Sequence, residues 1–571
     1  DRGHRWAMTQ AQNATPEGYS KLKIDVPLII MTGVLAGCGL IYEYLLSHYA
    51  ARVLGAVETV IFTIISLMIV SMGVGSFLSA RIKDPFNGFV VLELSMALAG
   101  SMAVLVSGAL MAGTFLLPQT LSATLNLPDG LPLDSGIFAV LDDIARGTPY
   151  FMACLLGILI GMEIPLIARI REVLHNQHIK DNIGTIYGAD YIGAGLGAVI
   201  WVGWMLSIDP AMAGALTAMV NLMVGFAFIA KFHQRIKHRE WMLAVHGVLF
   251  AVALTTAYQG PSWQAMAENV MYADRVVYHY DTKFQRLVVT RRERGPGGRP
   301  LLTFHINGRV QFASDDEKIY HGMLVFPALM ASARHDNVLI VGGGDGLALR
   351  DVLSWQPKNV TLLDLDRELV EYFKHETAAG GNKTFITMNK NSLSDPRVET
   401  IFGDAWLSVD QLINQGKRFD AIIVDLPDPS HPDLNKLYST GFYAKLRNVL
   451  TGDGAMVVQS TSPYHAKRTF LSIGRTIEAA GFGKVDQYHA NVPSFGEWGW
   501  TIAVPHGLSP RARIEEFAGA IPENWATLAV IKASFVFGRD YFADRDKIMV
   551  NRPRSSTIYR YHMLDWGEMR D

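Results

Sequence analysis

The sequence predicts a multi-pass α-helical membrane domain followed by a small β-domain and an α/β domain with a mostly parallel sheet. Three observations carry this: long apolar stretches fill the first 258 residues, a short region of alternating hydrophobicity follows, and strand and helix patterns then take turns from 337 to 480. The chain has 571 residues, a formal net charge of −2 and a charged fraction of 18%, well under the roughly 25% of ordinary soluble chains. Such a length implies more than one domain. The composition excludes a disordered chain, and the near-neutral balance leaves no basic footprint for nucleic acid. Two cysteines, Cys38 and Cys154, are too few for a disulfide scaffold or a four-cysteine zinc site.

The apolar stretches run over 26–47, 57–80, 88–117, 149–168, 187–208, 210–230 and 240–258. Crossing a bilayer takes about 20 residues, so residues 25–258 form a transmembrane domain of about seven helices, behind an N-terminal tail at 1–24. The opening DRGHRWA before Met8 reads as a remnant foreign to the fold, and 118–147 is where a span is most easily miscounted. With seven spans, Lys21, Lys23, Arg81, Lys83, Arg169, Arg171, Lys180, Lys231, Arg235, Lys237 and Arg239 share one face, against Arg52 and Arg146 on the other. Positive charge favours the cytoplasm, which places the N-terminus inside. Gly188, Gly193, Gly195 and Gly197 mark a face for close helix packing.

Residues 259–334 read as a linker and small β-domain: Phe284 to Val289 alternate, a turn at 295–298 follows, and Leu301 to Ile306 lead into Asn307-Gly308. The α/β domain occupies 335–510. Its strands are expected at 337–341, 360–365, 398–402, 420–425 and 454–459, with helices at about 346–354, 366–375, 405–415, 440–450 and 465–480. Alternation of this kind implies crossover helices on a parallel sheet. The extension at 511–571 carries no readable motif.

The chemistry-bearing residues stand at strand ends. Strand 337–341 runs into Gly342-Gly343-Gly344-Asp345-Gly346, where glycines permit a tight turn and close approach of a nucleoside. Nineteen residues after Asp345, the next strand ends in Asp364, a spacing that suits an acid accepting both ribose hydroxyls. Together these predict a Rossmann-like nucleoside site. No Walker lysine follows the glycines, and Asp345 would repel a pyrophosphate; it suits an amino group or a sulfonium, which points to S-adenosylmethionine-type ligands. Asp404, after the third strand, offers an acceptor for an adenine amino group. The fourth strand ends in Asp425-Leu426-Pro427-Asp428-Pro429, two carboxylates held by prolines where α/β sheets bind ligands. They read as an anionic pocket that binds and deprotonates an amine.

The runs VLIVGGGDGLALRDVL, VTLLDLDRELVEY, FGDA, DAIIVDLPDP and VVQSTSP together resemble the spermidine synthases, the polyamine aminopropyltransferases. Phe284-Gln285, Asn307 to Gln311 and Asp316 to His321 fall where that family has its small β-domain, and GLIYEYLLSHYAARVLG resembles the first span of membrane-fused members. The resemblance implies a class I methyltransferase-like fold and transfer of an aminopropyl group from decarboxylated S-adenosylmethionine to an amine or polyamine, releasing methylthioadenosine without a metal. It assigns Gln285, Gln311, Gly342, Gly344, Asp345, Asp364 and Asp404 to the donor. Asp425 becomes the catalytic aspartate, with Asp428, Tyr320 and His321 lining the amine site.

Departures cluster around the acceptor. Gly322 replaces a family carboxylate, Val492-Pro493-Ser494-Phe495 lacks a tyrosine usual in that loop, and Ser430-His431-Pro432 stands where Gly-Pro is common. Glu497 and Trp498 could supply a replacement charge and a cation–π face, with a packed loop as the alternative. An acceptor other than putrescine, and intact S-adenosylmethionine as donor, therefore stay open, as do a methyltransferase, lyase or cyclase on this fold and a polyamine transporter or sensor. Glu43, Glu163 and Asp190 lie in or near the spans, as structural pairs or as sites for a polyamine cation or lipid-borne amine. An integral cell-membrane protein, able to form a homodimer, follows. Cytoplasmic donor supply favours an inward-facing catalytic domain, whereas seven spans and the charge bias favour an outward one.

Overall fold

The computed structural model describes residues 17–54, 57–125, 136–175, 182–272, 274–295, 297–377 and 382–567. The chain divides into two compact units between residues 273 and 274. In the first, the helices are α1 (Glu17–Leu54), α2 (Val57–Ser79), α3 (Pro85–Leu125), α4 (Ile137–His175), α5 (Asn182–Gly203), α6 (Pro210–Lys231) and α7 (Arg239–Met271). Seven helices among the described residues are long and apolar enough to cross a membrane. Their outer faces carry large apolar side chains: Phe77 is 83% exposed and Tyr258 79%. A surface of this kind marks contact with lipid or another protein rather than water. Helix α7 runs through Pro261 and thirteen residues past the expected end at 258. The expected opening residues 1–7, and the 126–135 part of the suspect stretch, lie outside the described residues.

Glycines set how closely these helices approach. A Cβ on Gly193 would stand 1.9 Å from the carbonyl oxygen of Gly33, and one on Gly197 would stand 2.5 Å from that of Gly37. Helices α1 and α5 therefore cross backbone to backbone through matched pairs four residues apart. Gly157 and Gly161 do the same for α4 against Met68 and Met72 of α2. Gly188 and Gly195 have open space around them, so only half of the expected glycine face is a packing face: positions 193 and 197 share one side of α5, and the other two turn away.

The second unit opens with the antiparallel meander β1 (Arg275–Asp281), β2 (Arg286–Arg292), β3 (Leu301–Ile306) and β4 (Arg309–Ala313). Asn307 and Gly308 take positive φ, 50° and 79°, in the two-residue turn that pairs Ile306 with Arg309, the conformation that suits the twist of a tight hairpin. A larger sheet follows: β5 (Asn337–Gly342), β6 (Asn359–Asp364), β7 (Val398–Phe402), β8 (Phe419–Asp425), β9 (Leu450–Gln459), β10 (Lys484–Val492) and β11 (Gly496–Val504). Its order is β10-β11-β9-β8-β5-β6-β7, parallel from β7 to β9, with β11 and β10 antiparallel at one edge. The expected strands fall within four residues of these bounds, and 398–402 coincides with β7.

Helices cover both faces: α8 (Glu317–Ala331), α9 (Leu347–Ser354), α10 (Arg367–Lys374), α11 (Lys383–Met388), α12 (Ala405–Asn414), α13 (Pro432–Asn435), α14 (Thr440–Val449) and α15 (Lys467–Ala479). Alternation along β5 divides the core: Val338 and Ile340 pack with α8 and α9, while Leu339 and Val341 pack with α12, α14 and α15. Burial on both faces is why the parallel strands read as continuous apolar runs. The extension contributes α16 (Pro510–Glu515), α17 (Leu528–Ala533) and α18 (Thr557–Asp565). It is well anchored, because Asn551 is fully buried and its amide donates to the carbonyls of Asn435 and Tyr438.

Candidate active site

From β5 the chain proceeds outward to β6 and β7, then returns to β8 on the other side, so the strand order reverses between β5 and β8. A crease at the carboxyl ends of the strands results, the place where open α/β sheets take ligands. Gly342 pairs in register with Asp425 across it. Gly342 and Gly343 have φ of 83° and 69°, a region that side chains resist. A Cβ on Gly342 would stand 2.1 Å from the carbonyl oxygen of Asp425, and one on Gly344 would stand 2.6 Å from Asp364 Oδ2. The glycine turn thus passes between two carboxylate-bearing strand ends with no room for a side chain.

On the β5–β6 side, Asp345 Oδ1 accepts from the Leu347 amide at 2.8 Å and tethers the start of α9. Burial raises its carboxyl, and the nearby His321 charge pulls it down. Asp364 accepts from the Asp366 amide at 2.8 Å. Burial pushes Asp364 up to about 7, with Asp366 and Asp345 adding to the rise. Asp366 in turn caps α10 and receives the Thr282 hydroxyl at 2.6 Å and the Gln285 amide at 2.9 Å. Gln285 therefore reaches the Asp364 strand end through Asp366. The Gln311 amide donates to the Arg309 carbonyl at 3.3 Å, within its own strand. Asp404 caps α12 through the Trp406 amide at 2.8 Å and pairs with Lys436 at 2.6 Å.

On the opposite side, Tyr320 of α8 donates its hydroxyl to Asp425 Oδ1 at 2.7 Å. Burial pushes Asp425 up to about 6; His321 and the Tyr320 hydrogen bond lower it, and the Asp345 charge raises it. Asp428 is also pushed by burial to about 6, opposed by hydrogen bonds from Gln459 and Thr461 and by the Arg309 charge. Those bonds are 3.2 Å each, to Oδ1 and Oδ2. The Gln459 amide also donates to the Leu426 carbonyl at 2.8 Å and to the Tyr438 oxygen at 2.7 Å, and Tyr438 donates to the Pro427 carbonyl at 2.9 Å. The acidic turn is thus held from β9 and from the segment before α14.

Behind this pocket lies a buried ion array. Arg350 of α9 grips Glu317 with two bonds of 2.8 and 2.9 Å, and His321 Nδ1 bonds the Glu317 carbonyl at 2.7 Å. Although burial opposes it, hydrogen bonds and charges from His321 and Arg350 hold Glu317 down at about 2. His321 is held up at about 9 by Glu317, Asp345 and Asp425, against burial. The imidazolium therefore balances the acids on both sides of the crease.

A Polyamine aminopropyltransferase of Shewanella oneidensis is 52% identical over 549 residues, covering 95% of both chains. The chain belongs to the polyamine aminopropyltransferases. Polyamine aminopropyltransferase 1 of Streptomyces coelicolor is 33% identical over 90% of both chains. Polyamine aminopropyltransferase 2 of Ralstonia nicotianae is 32% identical over 94% of this chain and 98% of its own. The Spermine/spermidine synthase domain matches residues 317–512. Those bounds run from the first turn of α8 into α16 and enclose every site residue expected from the sequence except Gln285 and Gln311, which lie in or beside the meander.

The structure separates two residues that the sequence put together. Strand β11 begins at Gly496, so Glu497 and Trp498 point to opposite faces. The Glu497 carboxylate pairs with His489 of β10, whose other nitrogen meets the Val536 carbonyl at 2.9 Å; it is not brought onto Asp425 or Asp428. Trp498 lies 5.1 Å from Phe495, and Phe495 lies 5.7 Å from Tyr320, ring to ring. These rings, with Trp500 at 5.8 Å from Tyr320, cluster around the Tyr320 ring. Asp316 fixes this turn by accepting from the Ser494 amide at 2.6 Å and its hydroxyl at 3.0 Å. Sequence reasoning did not single out Gln459, Thr461, Tyr438, Glu317 or Arg350. Gln459 and Thr461 stand at the end of β9, in the VVQSTSP run, where the strand-end rule that found Asp425 applies equally.

Proposed function

We propose that the crease binds decarboxylated S-adenosylmethionine on the Asp345–Asp364 side and an aliphatic amine on the Asp425–Asp428 side, and joins them. The observation that carries this is the meeting of the two halves: the glycine turn touches Asp364 with Gly344 and Asp425 with Gly342. Asp364 would take the ribose hydroxyls, Asp404 the adenine amino group and Asp345 the donor's cationic end; Gln285 steadies this side through Asp366. Lys436 competes for Asp404 and would yield on binding.

An alkylamine with a pKa near ~10.4 is protonated at neutral pH and lacks a nucleophilic lone pair. Asp428 holds such an ammonium, and Asp425 accepts its proton. The freed nitrogen attacks the carbon beside the sulfonium: the C–N bond forms as the C–S bond breaks, and the sulfur keeps the electron pair. Methylthioadenosine and the aminopropylated amine leave. General-base help of this kind typically contributes 10²–10⁴-fold, and alignment of the reactants contributes more. Tyr320 and His321 act on Asp425, and the rings of Phe495 and Trp498 wall the amine. The first unit holds the enzyme in a bilayer through its apolar helices; donor supply favours a catalytic unit facing the cytoplasm, which protease protection in sealed spheroplasts tests.

Purified protein incubated with decarboxylated S-adenosylmethionine and a panel of amines tests the reaction, with products identified by mass spectrometry. A mass gain of one aminopropyl group with equimolar methylthioadenosine is expected. Methyl transfer, or methylthioadenosine without an aminopropylated product, would overturn it.

A further inference from the structure

The turn that follows β9 has an unusual backbone. Among the described residues, seven that are not glycine take positive φ. Six of these are exposed and none of the six is β-branched; Thr461, at 58°, is β-branched and wholly buried. A β-branched side chain in the left-handed region is an outlier, costly enough to persist only where its surroundings hold it. Here β11 holds it. The Gly499 amide donates to the Thr461 carbonyl at 2.8 Å, and the Ser460 amide donates to the Gly499 carbonyl at 2.8 Å. The Ser460 and Thr501 hydroxyls share a further hydrogen bond of 2.8 Å.

This strained turn acts on Asp428 twice. The Thr461 amide donates to Gln459 Oε1 at 3.1 Å. With that oxygen pinned, the nitrogen of the same side chain faces Asp428 and donates to Oδ1 at 3.2 Å. The Thr461 hydroxyl donates to Oδ2 at 3.2 Å. One residue thus fixes both oxygens of Asp428, one directly and one through Gln459. Hydrogen bonds donated to a carboxylate favour its charged form. Its two oxygens together offer about four acceptor sites, which leaves room beside these donors for the N–H groups of an ammonium. The titratable and charged groups around Asp428 are Asp425 three residues before it, Arg309 of β4, Tyr438 ahead of α14 and Tyr320 of α8. Arg309 favours the charged form; Gln459 and Thr461 add donors of fixed direction.

We propose that Thr461 is a positioning residue for the acceptor: its left-handed backbone and its hydroxyl together aim Asp428 at the ammonium of an aliphatic amine. The amine rests on the transfer reading, whereas the hold on Asp428 stands on the hydrogen bonds alone. Because Thr461 is tied to Gly499, which lies between Trp498 and Trp500, the same turn also sets Asp428 against the ring-bearing strand.

The test uses the full chain in detergent. Thr461→Val keeps the shape and the amide bond to Gln459 but removes the hydroxyl, so Asp428 ionises less readily. For a rise of about one pKa unit, the KM of the best acceptor in the amine panel should increase about fivefold at pH 6. The gap should close to within about twofold by pH 9, with kcat and the donor KM near the parent values. Thr461→Ser restores the hydroxyl and should restore the parent profile. Thr461→Gly takes the left-handed backbone freely and should repeat the rise in amine KM even if the valine variant does not fold. An unchanged amine KM in Thr461→Gly, an equal loss at pH 6 and pH 9, or a serine variant as impaired as the valine one would each overturn the proposal. Equilibrium binding of radiolabelled putrescine and spermidine to parent, Thr461→Val and Thr461→Ser is measured alongside. Binding weakened at pH 6 in Thr461→Val alone, with no aminopropylated product from the parent, counts against the transfer reading and leaves the role of Thr461 standing. Equal binding by all three at pH 6 overturns that role.

Discussion

Replacing Tyr320 by Phe removes one hydroxyl and leaves its ring packed against Phe495 and Trp500. The hydroxyl donates to Asp425 Oδ1 at 2.7 Å and favours the ionised carboxylate, opposing the burial that pushes this group to about 6. A hydrogen bond to a charged group contributes about 1.5–3 kcal/mol, and 1.36 kcal/mol corresponds to about one pKa unit. Loss of the bond therefore raises Asp425 by roughly one to two units, into the range of about 7–8. The active form is the base, so the acid limb of kcat/KM moves to higher pH. At pH 7 the ionised fraction falls from about nine-tenths to between about half and one-tenth, which lowers kcat/KM about two- to tenfold. By about pH 9 variant and parent converge to within about twofold. The assay is the initial rate of methylthioadenosine release across this range at constant ionic strength. A loss by one constant factor at every pH, with the acid limb unmoved, would refute the reasoning and reduce Tyr320 to a packing residue.

Asp425→Asn keeps the shape but removes the proton acceptor, and kcat should fall about 10²–10⁴-fold at all pH values in the same assay. Gly344→Ala drives a methyl onto Asp364, where a Cβ would stand 2.6 Å from Oδ2; steady-state kinetics should show the donor KM raised about fivefold or more with the amine KM unchanged, since overpacking costs about 1–3 kcal/mol. Asp404→Asn preserves the helix cap but loses charge, so the donor KM alone should rise several-fold. Glu317→Ala removes the two-bond partner of the buried Arg350 and leaves it Asp351 at 2.8 Å, so unfolding stability in urea should fall by about 1.5–3 kcal/mol, the contribution of a hydrogen bond to a charged group. Because Glu317 is held down at about 2, its contribution is present above its ordinary carboxylate range and is lost as pH falls toward 2.

Where the sequence was legible, the physics was local. The five expected strands appear because each is a largely apolar run of the right length; four of them end in or run directly into glycine or aspartate, which is what draws the reading to their ends, while β9 ends in Gln459. What was missed depends on pairing. Glu317 and Arg350 are 33 residues apart, and nothing in either neighbourhood announces the other. Strands β10 and β11 were read partly as a loop; once Gly496 opens a strand, alternation decides that Glu497 leaves the pocket and Trp498 stays. Glu93 escaped notice because one acid in a long apolar stretch is easily averaged away, and only folding reveals that Asn221 sits upon it. The seven apolar stretches were found by length alone, whereas the real ends of α3, α4 and α7 overshoot them, because polar helix turns continue where the hydrophobic signal stops.

The edge hairpin has a consequence for the order in which the enzyme comes into being. The residues proposed for the donor are all in the chain once Asp404 has been made, and Asp425 follows 21 residues later. The aromatic wall proposed for the amine waits for β11, which ends at Val504, 100 residues after Asp404. At about 5–20 residues per second of synthesis, the nascent chain spends on the order of 10 s with the proposed donor residues made and the aromatic wall still to come. A chain cut short before the hairpin keeps every residue proposed for the donor and lacks the rings proposed to wall the amine.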